Sequence, residues 1–164
     1  MAKRHVPTEQ DRLDAIRVAL SGIAAGRDVD GIVRELAVLQ PANDTFPGEV
    51  LLELAADAIE LSGVSRAEPL DYSGIRERFL PEVEFRGRYE RHKSHYALRA
   101  AGLIAAGIDP AVLDEVAHWQ HLDPHVWAFY ALVIFVRVAA ERTGRSAAEV
   151  CTALAERHDV TLPA

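Results

Sequence analysis

The sequence predicts an all-α fold: a single domain of antiparallel helical hairpins, about seven or eight helices, packed around a central apolar helix at 124–142. Three observations carry this expectation. Apolar residues recur every three or four positions along most of the chain, and nowhere do they alternate at period two over a useful length. Helix start and stop signals are frequent, with Thr, Asp or Ser ahead of apolar-periodic runs and Gly or Pro behind them. Residues 126–136 are apolar on every side, the pattern of a helix surrounded by amphipathic neighbours.

Each element has its own signals. Thr8 can cap the first helix while Asp11 sits three residues on in the first turn. Its apolar stripe is Leu13, Ile16, Leu20, Ile23 and Ala24, and Gly26 ends it. A second helix begins near Asp28 or Asp30, carries Val29, Ile32, Val33, Leu36 and Leu39, and stops before Pro41. "PANDTFPG" is a loop by composition. A third spans about 47–62 with Val50, Leu51, Leu54, Ala58 and Leu61, closed by Gly63. Residues 64–74 form an irregular connection, followed by a helical turn or two before Pro81.

A long helix over about 85–106 follows, with Tyr89, Tyr96, Ala100, Leu103 and Ile104 as its apolar stripe and Gly107 as its end. Asp109–Pro110 restarts the chain, and Asp123–Pro124 repeats the device: a capping aspartate, then proline in the first turn. Ser146 and Glu149 make a capping box for a last helix that contains Cys151 and finishes near His158. Gly26, Gly63, Gly107 and Gly144 are separated by 37, 44 and 37 residues, near the period of HEAT-type helical hairpins. A run of αα-hairpins with a glycine at each helix end gives the same spacing without a solenoid, and it is the simpler account.

Composition narrows the function classes. At 164 residues, 26% charged and 49% hydrophobic, the chain has the makings of one folded domain over 1–164, with 1–7 expected to be flexible. A lone cysteine, Cys151, rules out an internal disulfide framework and fits a reducing, cytoplasmic setting. No apolar segment follows the basic N-terminus, so no secretory signal is expected. The apolar run at 126–136 is too short for a bilayer, which needs about 20 residues. A net charge of −7 argues against general nucleic-acid binding. The charge is uneven, however. Residues 76–99 hold seven Lys/Arg against four Glu, a local excess of +3, so the rest of the chain carries −10. Such a basic segment could serve an anionic ligand or an acidic protein surface, including the chain's own.

Four groups of residues are candidates for chemistry. The stripe Arg88, His92, His95 and Arg99, spaced 4, 3 and 4, keeps one narrow helix face, flanked by Tyr96. Arginines as forked donors beside titratable histidines suit a phosphate or carboxylate ligand. Trp119 and Trp127 bracket the corner at Asp123–Pro124 and are expected to close over it, Trp119 also lying within reach of a ligand on that stripe. A metal site would draw on His92, His95, His118 and His121, with Glu115 in a Glu-x-x-His spacing. Helical geometry sets His118 opposite the apolar face of its helix, and the neighbouring arginines oppose a cation, so no metal or other cofactor is expected. Cys151, among Val150, Ala153 and Leu154, suits an inert packed thiol. With no Gly-rich phosphate loop, nucleophile elbow or CxxC pair, the leading expectation is a non-catalytic interaction or regulatory domain with a protein partner or self-association. The alternatives are an anionic-ligand or enzymatic bundle with its site at the 85–106 and 109–127 helices, and a histidine-based metal-binding protein.

Overall fold

The computed structural model describes residues 8–39, 47–63, 71–79, 88–107 and 124–163, with the backbone alone at 73, 76, 79, 88–96, 124 and 125. Among these described residues the regular structure is entirely helical, with no strand. The helices are α1 (Glu9–Ala24), α2 (Val29–Val38), α3 (Gly48–Leu61), α4 (Tyr72–Phe79), α5 (Arg88–Ala105), α6 (Pro124–Thr143) and α7 (Ala147–Arg157). The helix expected after Asp109–Pro110, residues 1–7 and most of the 64–74 connection lie outside the described residues. The expected count of seven or eight helices in hairpins is therefore not matched element by element.

Side-chain caps explain where the helices begin. The first N–H groups of a helix have no intrahelical acceptor, and a Ser, Thr or Asp oxygen supplies one, worth about 1 kcal/mol. At α1 the capping box closes in both directions: the Asp11 amide donates to Thr8 Oγ1 at 3.1 Å and the Thr8 amide donates to Asp11 Oδ2 at 2.8 Å. Asp28 rather than Asp30 starts α2, accepting from the Gly31 amide at 3.3 Å. Ser146 Oγ accepts from Glu149 N at 3.1 Å and starts α7. The start of α4 differs from expectation. Asp71 Oδ1 accepts from the Gly74 amide at 3.0 Å, so the helix begins at Tyr72, inside the 64–74 stretch expected to be an irregular connection. Helix ends follow the glycines. Gly26, Gly63, Gly107 and Gly144 all have positive φ, from 67° to 101°, which accounts for their spacing as helix-terminal turns.

The centre of the described bundle is α6. Every residue from Trp127 to Val136 is buried, and α6 packs most extensively against α3 while also meeting α2, α4, α5 and α7. Each fully buried Leu, Ile or Phe contributes about 1.5–3 kcal/mol relative to exposure, so this ten-residue run outweighs any single surface contact. The partner helix is more deeply buried than its sequence pattern implies. Besides Val50, Leu51, Leu54 and Ala58, α3 also buries Leu52, Ala55, Ala56 and Ile59. Its alanines are neutral in an apolar-stripe reading, yet small side chains let two helices approach closely along their length. Around this pair, α1 packs on α7, α2 and α3; α5 lies on α3 and α6; α4 lies on α5 and α6. Arg142 Nε, in the last turn of α6, donates to the Ser62 carbonyl at the C-terminus of α3 at 3.1 Å, joining the two ends. None of the described helices is long and apolar enough to cross a membrane.

Candidate functional site

The predicted basic stripe lies on α5, whose inner and outer faces are set by its second half. Ala97, Leu98, Ala100, Ala101 and Ala105 are buried, whereas Arg99 and Leu103 are exposed. This corrects the expected apolar stripe, which placed Leu103 inward. The interior face of α5 is built largely of alanine, so the large Leu103 misleads any pattern that weights side-chain size. Positions 88, 92 and 95 precede Arg99 at helical spacing and share its register on the α5 backbone. The side chains of Arg88, His92, His95 and Tyr96 lie outside the described residues, as do Glu115, His118, Trp119 and His121 entirely. Their convergence is thus not part of the described geometry, and Arg99 is the member of the stripe whose side chain is placed.

One aromatic residue borders this region. Tyr72 of α4 stands with its hydroxyl over Gly102 of α5, occupying the space a side chain at 102 would need. Burial raises the Tyr72 phenol above its ordinary pKa, and the positive charge of Arg99 partly opposes that rise. Trp127 and Tyr130, both buried in α6, stack with ring centroids 5.4 Å apart and planes at 27°. Trp127 is thus a packed residue of α6, and the corner that precedes it lies outside the described residues.

The best-defined polar constellation lies elsewhere and was missed in the sequence. It joins α1, α3 and the end of α7. His158, just past α7, places Nε2 at 2.7 Å from Asp57 Oδ2, and Arg12 Nη2 of α1 lies 2.9 Å from His158 Nδ1. A guanidinium can only donate, so Nδ1 must be the acceptor and Nε2 carries the hydrogen given to Asp57. The imidazole is part-buried, with 15% of its side chain exposed, and Asp57 has 25% exposed. Arg12 also reaches Glu9 at 3.3 Å and Glu53 at 3.8 Å, while Arg157 Nη1 lies 3.1 Å from Glu60 and 3.7 Å from Asp57. Burial raises the Glu53 carboxyl above the usual carboxylate range; Arg12 and His158 pull it back, and Asp57 adds to the rise. One signal was available: Asp57 interrupts the otherwise apolar run "LAADAI" of α3, and a carboxylate there needs a partner. Its partners, Arg157 and His158, are 100 and 101 residues away, beyond any local spacing rule.

In the neutral ring both nitrogens of His158 are engaged by side chains of the protein itself, Arg12 at Nδ1 and Asp57 at Nε2. The arrangement is a tie between three helices. Among the described residues no group of three or more His, Cys, Asp or Glu side chains could hold a metal ion. Cys151 is buried, and burial pushes its thiol up to about 12, as expected of a packed residue. Comparison with known proteins finds no matching family model, no matching curated protein and no matching solved structure.

Proposed function

We propose that this chain is a non-catalytic, all-helical association domain that docks through the outer face of α5, with a second copy of the chain as partner. The observation behind it is the pairing of Leu103, a large apolar residue left 42% exposed, with the exposed Arg99 on one face of a helix whose other face is closed. Arg99 ends the basic segment 76–99 of +3, while the remainder of the same chain carries −10, so a second copy supplies the complementary charge. An apolar anchor within a charged rim is the general composition of an interface. The lone buried Cys151 fits a reducing compartment such as the cytoplasm.

The experiment is an NMR dilution series. Concentration-dependent shifts over 97–107 support association through α5, and shifts confined to other helices refute it. A small anion bound by Arg88, His92, His95 and Arg99 is the second reading of this face, favoured by the exposure of Arg99. It predicts that inorganic phosphate, rather than protein concentration, moves those resonances.

A further inference from the structure

We infer that the Arg12–His158–Asp57 chain is a proton-operated latch: protonation of His158 releases Arg12 from the imidazole to Glu53 and loosens the seam between α1 and the C-terminal turn. The geometry carries this directly. In the neutral ring Nδ1 accepts from Arg12 at 2.9 Å; in the imidazolium both nitrogens donate, and the same approach sets a donor and a positive charge against each other. Asp57 keeps its bond, because Nε2 bears a hydrogen in both forms. Arg12 is the group that must yield, and its alternative acceptors are already near, Glu53 at 3.8 Å and Glu9 at 3.3 Å.

Charged groups of both signs lie near the ring. Arg12 of α1 and Asp57 of α3 meet the ring itself, with Glu53 of α3 close by; Glu9 pairs with Arg12 and Glu60 with Arg157, and Glu156, Arg157 and Asp159 are neighbours in sequence. Arg12, bonded to Nδ1, sets a fixed positive charge beside the position a second ring proton would take. What the latch secures is the turn that follows. Asp159 takes a left-handed φ of 56°, and the Val160 amide donates to the Ala155 carbonyl at 2.9 Å, tucking Val160 into the core. Imidazole is the side chain suited to such a device, since it changes charge between about pH 5 and 8.

The test is a paired NMR titration of the full chain, following the His158 ring and the Arg12 Nε–H between about pH 5 and 8. The latch predicts one shared midpoint for both signals, with faster amide exchange at Val160 on the acid side. In His158→Asn, which keeps an acceptor near Nδ1 but does not titrate, the Arg12 signal stays flat. Should that variant fail to fold, Arg12→Met serves: loss of the opposing charge moves the His158 midpoint upward. An Arg12 signal that ignores His158 titration, a His158 that never titrates in this range, or a midpoint unmoved or lowered in Arg12→Met each overturns the proposal.

Discussion

His158 Nε2 and Asp57 Oδ2 lie 2.7 Å apart across 101 residues of sequence, tying the end of α7 to the middle of α3. Both side chains are mostly shielded from water, so truncating one leaves the other's polar atom without its partner. Asp57→Ala is expected to lower the unfolding free energy by about 1–3 kcal/mol, measured by urea denaturation. Asp14→Ala, which breaks the exposed Arg17 pair on α1, should cost about 0–1 kcal/mol. Equal effects of the two substitutions would show that the tie across the helices contributes no more than a surface ion pair.

Gly22 of α1 marks a close helix contact. A Cβ added there would meet Ile32 Cδ1 and Cγ1 of α2 at 2.7 Å. Alanine gains about 1 kcal/mol of helix propensity over glycine, but overpacking costs about 1–3 kcal/mol. Gly22→Ala should therefore be neutral to destabilising, and less harmful when Ile32→Ala removes both clashing carbons. A double-mutant cycle with no coupling would contradict the packing described.

Cys151 gives a chemical test of burial. Its folded value of about 12 lies above the ordinary 9.0, so the thiol stays protonated at neutral pH. The associated stability is complete below about pH 9.0 and is lost as pH rises toward about 12. Alkylation by iodoacetamide should be slow in the native protein and accelerate in step with unfolding as urea is added. Rapid native alkylation at neutral pH would contradict the assignment.

Glu53 gives a pH test with the opposite practical outcome. Burial raises its folded value above the unfolded one, so stability from the bound proton is present at low pH and lost as pH rises through the folded value. At neutral pH the ionised carboxylate is a net cost. Glu53→Gln should therefore be more stable than the parent at pH 7, the gap closing as pH falls below the ordinary carboxylate value of about 4.3. A gap that widens in acid would mean that the Arg12 contact outweighs desolvation.

Much of the fold was legible because helix signals are local. Thr8 with Asp11, Ser146 and the four helix-ending glycines act within one turn, and the apolar character of 126–136 needs no knowledge of its neighbours. Three features were not legible, for physical reasons. Alanines on α3 and α5 bury as completely as leucines without standing out, so α3 looked one-sided and Leu103 was assigned inward. Asp71 caps α4 from within what reads as an irregular connection. The Arg12–His158–Asp57 tie depends on tertiary pairing of distant residues, whereas the histidines between 92 and 125 stand close together in the sequence. Of that expected site, Arg99 is placed outward on α5, and the remaining side chains except Trp127 fall outside the described residues.

The central claim is that the outer face of α5 is a contact surface. Sedimentation velocity over a concentration series tests it most directly, comparing the parent with Arg99→Glu and Leu103→Ser at low salt and at about 1 M salt, where the Debye length is about 3 Å. The account predicts a concentration-dependent increase in sedimentation coefficient for the parent, weakened by salt and abolished by either substitution. A parent that sediments as a monomer at every concentration, or an association indifferent to Arg99 and Leu103, would contradict it.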